Sequence, residues 1–145
     1  MDIKVKYLVP DLDSIEQKEG CDWIDLRCAE TITINKGDYA MVRLGVAMKL
    51  PKGYEAYLAP RSSTYRKYGV IQTNGIGIID ESYCGDDDEW LMPVYALRNT
   101  QIRKGERICQ FRIMKKMPTL SIIALVPDET LGSPNRGGFG STGVE

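Results

Sequence analysis

The sequence has no histidine in 145 residues. That absence removes Ser–His and Cys–His nucleophilic catalysis and any histidine-ligated metal centre. The expected proton acceptor near neutral pH is then a carboxylate. Cysteine is also sparse: Cys21, Cys28, Cys84 and Cys109. None forms a C-x-x-C pair, so a zinc site is not expected, and the spacing gives no disulfide framework. The opening Met1-Asp2-Ile3-Lys4-Val5-Lys6 alternates charge with apolar residues and does not read as a signal peptide. Reduced thiols and a cytoplasmic location are the expectation. No apolar run approaches the ~20 residues of a membrane helix, so no membrane partner is expected. Neither sign of charge dominates, with 19 basic against 20 acidic residues. The chain therefore lacks the global basic field that duplex nucleic acid requires. There is also no G-x-x-x-x-G-K-[ST], so its glycine-rich segments are not P-loops, and no internal repeat is visible.

What is present is a set of short alternating segments. Ile3, Val5 and Tyr7 alternate with Lys4 and Lys6, and Ile32 and Ile34 with Thr31 and Thr33. Tyr39 to Val46, Tyr54 to Ala59, Val70 to Gln72, Leu91 to Leu97 and Ile108 to Met114 read as further strands rich in β-branched and aromatic residues. Turn signals separate them at Lys36-Gly37-Asp38, Pro51-Lys52-Gly53, Asn74-Gly75 and Arg103-Lys104-Gly105-Glu106. The pattern predicts one all-β domain, a sandwich or barrel. Ser62 to Gly69 stands apart: hydroxyls suit an N-cap and Gly69 suits a C-terminal cap, which predicts a short helix of about two turns opening just after Pro60-Arg61. The stretch after Pro127 reads as a linker to a terminal segment, Asn135 to Glu145.

Several segments could carry chemistry. The terminal segment holds four glycines in the seven residues from Gly137 to Gly143, together with Arg136, Phe139, Ser141 and Thr142. It is either a frayed end or a clamp that orders over a ligand with a flat face and phosphates. Ala59-Pro60-Arg61-Ser62-Ser63 is either a phosphate-binding helix start or a plain capped helix with a surface arginine. Asn74 to Gly85 opens with an Asn-Gly hairpin signal. Asp80 there, after the apolar Ile78-Ile79, is a candidate base or water-positioning group, or else the cap of a turn. The run Asp86-Asp87-Asp88-Glu89 reads as a solvated loop rather than a metal site, because consecutive acids point in different directions. Gln110, in a turn-then-strand segment, could donate to a ligand oxygen.

In order, these pieces resemble the trimeric dUTP diphosphatases (deoxyuridine triphosphate nucleotidohydrolases) over nearly the whole chain, Asp25 to Gly143. Five motifs carry the resemblance: Ile24-Asp25-Leu26-Arg27-Cys28-Ala29, Pro60-Arg61-Ser62-Ser63, Asn74 to Gly85 around Gly77-Ile78-Ile79-Asp80, Gly105-Glu106-Arg107-Ile108-Cys109-Gln110, and Arg136-Gly137-Gly138-Phe139-Gly140-Ser141-Thr142-Gly143. The Trp23-Ile24-Asp25-Leu26-Arg27 form and the acidic insert look most like Gram-positive bacterial and phage members.

The resemblance implies a jelly-roll-like β-domain over residues 1–127, one short helix, and a flexible C-terminal arm over 128–145. It implies a homotrimer with active sites at subunit interfaces, and hydrolysis of dUTP to dUMP and pyrophosphate with Mg2+ on the triphosphate. Such an activity keeps uracil out of DNA and supplies dUMP for dTMP synthesis. By the family pattern, Asp80 orients and deprotonates the attacking water, and Tyr83 packs under the deoxyribose. The main chain from Asn74 through Gly77, Ile78 and Ile79 reads the uracil edge, and Met92 belongs to the substrate-binding set. Arg61, Ser62, Ser63 and Gln110 hold phosphates. Arg136, Gly140, Ser141 and Thr142 close over the phosphate end, and Phe139 stacks on uracil, the arm coming from another subunit. Asp25 lies near the metal–phosphate region, acting through water.

Three features depart from the family pattern. Trp23 stands where glycine is usual, Ser63 replaces a common glycine, and the loop after Gly85 is lengthened within Asp86 to Trp90. That insert is expected to project away from the site, unless Trp90 joins the pocket. Two alternatives stand beside this reading. A dCTP deaminase relative would need a glutamate placed to activate water at the base ring. A nucleotide-gated interaction protein of phage origin would be defined by its partner rather than by turnover.

Overall fold

The computed structural model describes residues 1–140. Alternating apolar residues build eleven short strands: β1 Lys4–Tyr7, β2 Ile24–Arg27, β3 Ile32–Ile34, β4 Tyr39–Arg43, β5 Val46–Lys49, β6 Tyr54–Pro60, β7 Val70–Gln72, β8 Gly77–Ile79, β9 Leu91–Ala96, β10 Thr100–Ile102 and β11 Arg107–Lys115. The one helix is α1, Thr64–Tyr68. The strands form antiparallel sheets ordered β2-β11-β6-β8 and β4-β9-β7, with two-stranded pairs β1-β5 and β3-β10. This is the all-β, jelly-roll-like architecture expected. No helix among the described residues is long and apolar enough to cross a membrane.

The inward faces of these strands make one core. Leu26, Val42, Leu58, Met92, Val94, Ile108 and Phe111 are wholly or almost wholly withdrawn from solvent. At its centre the rings of Trp90 and Phe111 meet edge to face, with centroids 5.1 Å apart and planes at 82°. Trp90 is therefore not part of a projecting insert: within Asp86 to Trp90 only Asp86 and Asp87 are exposed. Glu89 departs from the solvated-loop expectation as well. Its carboxylate takes the Arg43 guanidinium in a two-pronged pair, at 2.9 Å from Nη2 and 3.0 Å from Nε, which ties the loop down to β4.

Three local expectations change. The run from Tyr39 to Val46 is two strands, because Gly45 turns the chain with φ of +69°. A Cβ there would lie 2.8 Å from that of Ala29. Asn74-Gly75 is not a hairpin: β7 pairs with β9 and β8 pairs with β6, so the loop carries the chain from one sheet to the other. The helix is shorter than two full turns and starts later than expected. Ser63 at its N-cap makes no side-chain capping bond. Thr64 ties its start instead, its hydroxyl accepting from the Arg61 N–H at 2.8 Å and donating to the Ile108 carbonyl at 2.9 Å. At the other end Gly69 adopts φ of +64° and donates to the Tyr65 carbonyl, as expected of a C-terminal cap. Beyond Lys115, residues 116–140 carry no strand or helix.

Candidate active site

The first group of candidate residues gathers around β8. That strand is the open edge of its sheet, so part of its main chain has no partner strand and is available to a ligand edge. Gly77 is buried on β8 because Leu58 lies beneath it: a Cβ would sit 3.1 Å from the Leu58 Cβ. A cavity of about 500 Å3 opens here, with Asn74, Gly77, Ile78, Ile79, Asp80 and Tyr83 in its lining. Asp80 follows the last residue of β8 and starts a tight turn, its carbonyl accepting from the Tyr83 N–H at 3.0 Å. Its Oδ2 accepts from the Ser82 N–H at 2.9 Å, and its Oδ1 from Lys116 Nζ at 3.2 Å. Hydrogen bonding by Ser82, first, and by Lys116 holds the carboxyl down to about 2. The Tyr83 hydroxyl donates to the Glu89 carbonyl at 2.8 Å. Burial and the nearby acids Asp88 and Glu89 raise the phenol's pKa, so it stays protonated.

A second group gathers at the other end of the same sheet. A cavity of about 480 Å3 is lined by Trp23, Asp25, Arg27, Arg61, Arg107 and Gln110, among others. Arg61 Nε donates to Asp25 Oδ1 at 2.9 Å, and Arg107 Nε lies 3.7 Å from Asp25 Oδ2. One carboxylate thus fixes two guanidinium groups. The terminal nitrogens of Arg61 make no hydrogen bond among the described residues and are free for an anion. Gln110 Nε2 donates to the Pro60 carbonyl at 3.1 Å. Ser62 is exposed and Ser63 partly so, and since Thr64 ties the helix start, neither hydroxyl is used in capping. Trp23 stacks under the Arg112 guanidinium, 5.8 Å from ring centre to Cζ.

The two groups lie far apart on one chain. Gln110 sits near the start of β11 and Lys116, which touches Asp80, just beyond its end. Five residues of strand lie between them, six steps of the chain and roughly 20 Å at the usual rise. Asp80 therefore stands well away from the Arg61–Gln110 group of its own chain. It cannot act beside an anion held by that group.

Other predicted residues fall elsewhere. Met92 is completely buried and does not line the cavity. Its neighbours Leu91 and Pro93 do, because successive strand residues face opposite ways. Arg136, Phe139 and Gly140 are exposed and meet neither cavity. Ser141 and Thr142 lie outside the described residues. Trp90 lines the Asp80 cavity, the alternative the sequence left open for it, whereas Glu89 in the lining and Lys116 beside Asp80 carry no local signal in the sequence. Among the described residues no group of three or more acidic, cysteine or histidine side chains could cage a metal ion. The Asp25 carboxylate is shared by Arg61 and Arg107.

The sequence model of the dUTPase family matches residues 17–143. The chain is 57% identical to the SPbeta prophage-derived deoxyuridine 5'-triphosphate nucleotidohydrolase YosS of Bacillus subtilis (strain 168), over all of both chains. It is 35% identical to the deoxyuridine 5'-triphosphate nucleotidohydrolase of Neorickettsia sennetsu, over 88% of this chain and 85% of that one. The fold is similar to that of a Staphylococcus bacteriophage 80alpha dUTPase determined with dUpNHpp, with a TM-score of 0.77, 23% identity and 99% of each chain covered. It also resembles the dUTPase of Streptococcus mutans, with a TM-score of 0.71, 23% identity, and 81% of this chain and 98% of that chain covered. With five ordered motifs, a family match across most of its length and a relative identical at more than half its positions, this chain belongs to the dUTPase family.

Proposed function

We propose that the protein hydrolyses dUTP to dUMP and pyrophosphate in active sites shared between copies of the chain in a homotrimer. The carrying observation is the split site: the Asp80 cavity and the Arg61–Gln110 cavity lie roughly 20 Å apart along one sheet. A second copy, bringing its arginine cavity to the first copy's Asp80 cavity, completes the site. An outward apolar face supports such an assembly. Tyr39, Met41, Ile71 and Tyr95 are exposed on the β4-β9-β7 sheet, Tyr39 and Ile71 both in register with Tyr95.

In this reading the main chain of Asn74 and Gly77–Ile79 pairs with the uracil edge, and Tyr83 packs under the deoxyribose. Asp80 orients a water in line with the α-phosphorus. The new phosphorus–oxygen bond forms as the bridge to the β-phosphate breaks. Pyrophosphate leaves and the water proton passes to Asp80. A carboxylate held near 2 is a weak acceptor in the free chain. It acts first by orientation, and takes the proton as bonding to phosphorus acidifies the water. Arg61, Ser62, Ser63 and Gln110 of a neighbouring copy hold the phosphates and offset their charge. Asp25 would hold a Mg2+ carried by the triphosphate through water, and the ion would supply further charge neutralisation. Arg136, Phe139, Gly140, Ser141 and Thr142 close over the ligand.

Pyrophosphate release from dUTP, dTTP, dCTP and UTP, each with Mg2+ and with chelator, tests this. Fast Mg2+-dependent release from dUTP alone is expected. Ammonia from dCTP, or bound dUTP without turnover, would overturn it.

A further inference from the structure

The Asp80 carboxylate is held by more than its own turn. Lys116 follows the last residue of β11, and its main-chain N–H donates to the Gly53 carbonyl at 2.9 Å. The Gly53 N–H donates to Glu81 Oε2 at 2.7 Å, and Glu81 Oε1 lies 3.2 Å from Lys116 Nζ. Gly53, Glu81 and Lys116 therefore close a ring that anchors the lysine at both its main chain and its ammonium. From this ring Nζ reaches Asp80 Oδ1 at 3.2 Å.

An ordinary exposed lysine pair contributes little, largely because ordering the lysine costs side-chain entropy. Here the ring has already ordered it. With Ser82 N–H on one oxygen and Lys116 on the other, the carboxylate plane is set. Each oxygen keeps capacity for one more hydrogen bond, toward a water or a ligand hydroxyl. Among the described residues the charged groups acting on Asp80 are Lys116 and Glu81. Glu55 on the adjacent β6 turns instead to the Tyr57 hydroxyl, at 3.3 Å.

We propose that Lys116, held by Glu81 and Gly53, is a positioning residue that fixes the orientation and charge of the Asp80 carboxylate. The inference rests on the reading of Asp80 as the group that orients the attacking water. Lys116 touches neither water nor substrate, and acts through Asp80.

The test uses the full chain with Lys116→Met, Lys116→Arg and Glu81→Gln. The Asp80 carboxyl is followed by carbon-13 NMR titration without nucleotide, and kcat and KM for dUTP are measured against pH. In Lys116→Met, the Asp80 midpoint is expected to rise by roughly half a unit to one unit, since Ser82 remains. The acid limb of kcat should rise with it, and plateau kcat should fall about ten-fold with KM little changed. Lys116→Arg should restore most of the rate. Should Lys116→Met fail to fold, Glu81→Gln keeps the lysine and loosens it, giving smaller changes of the same sign. An unmoved Asp80 titration, an unchanged kcat, or a raised KM at constant kcat would overturn the proposal, the last by making Lys116 a substrate ligand. Asp80→Asn separates the two ideas. Wild-type turnover in that variant defeats the base reading itself, whereas a dead Asp80→Asn with an unaffected Lys116→Met defeats only the role of Lys116.

Discussion

Asp80 and Trp90 show how much rests on single side chains in this protein. Asp80→Asn keeps the size of the side chain and its bond from Ser82, but an amide cannot take a proton. Turnover of dUTP should fall by about 100- to 10,000-fold while binding survives. Steady-state kinetics beside calorimetric titration with a non-hydrolysable analogue would show the split; equal losses in both would mean a binding role. Trp90, 1% exposed and packed edge-on against Phe111, carries the wall of the Asp80 cavity on the core. Trp90→Ala should cost about 3–5 kcal/mol, measured by chemical denaturation of the intact oligomer. A loss below 1 kcal/mol would place the tryptophan outside the cooperative core.

Among the elements, α1 has the clearest functional consequence despite its five residues. Its one buried polar side chain, Thr64, joins the helix start to β11 through Ile108, and its hydroxyl also fixes the Arg61 main chain. Thr64→Val preserves shape and leaves the Arg61 N–H and the Ile108 carbonyl unpaired. A loss of about 1–3 kcal/mol is expected. Because Arg61 is released at the same time, KM for dUTP should rise more than kcat falls. A stability loss with unaltered KM would separate the cap from the arginine. The strands best visible in the sequence were those with long alternation, such as β6 and β11. β2 and β10 are short, and nothing in four or three residues marks them as strands before their partners are known. The Asn-Gly pair was a sound turn signal, yet its flanking strands join different sheets, a choice made by β6 and β9 rather than by the turn.

At the scale of the whole molecule, the split site makes a prediction that no single-chain site would share. Asp80→Asn chains and Arg61→Ala chains should each be nearly inactive alone. Mixed within one trimer, they should recover activity in roughly a third of the sites, because a ring of two chains of one kind and one of the other has a single interface that pairs an intact Asp80 with an intact Arg61. Co-expression with two affinity tags, followed by assay of the doubly tagged fraction, measures this. No recovery would mean that Asp80 and Arg61 serve the same chain.

The sequence alone determined the residue types available: no histidine, carboxylates as candidate acceptors, Arg61 and Gln110 as candidate anion ligands, and a glycine-bearing segment that leads into Asp80. These are local properties of residue type and spacing, written in a few consecutive positions. Tertiary structure decided the rest. It turned Met92 into the core and Leu91 and Pro93 toward the cavity, because alternation gives two faces without saying which is buried. It brought Lys116 onto Asp80 across 36 positions of chain, where a lysine at a strand end carries no signal of its own. It also set the two halves of the site apart along β11, because strand pairing is a long-range choice made by the whole core at once.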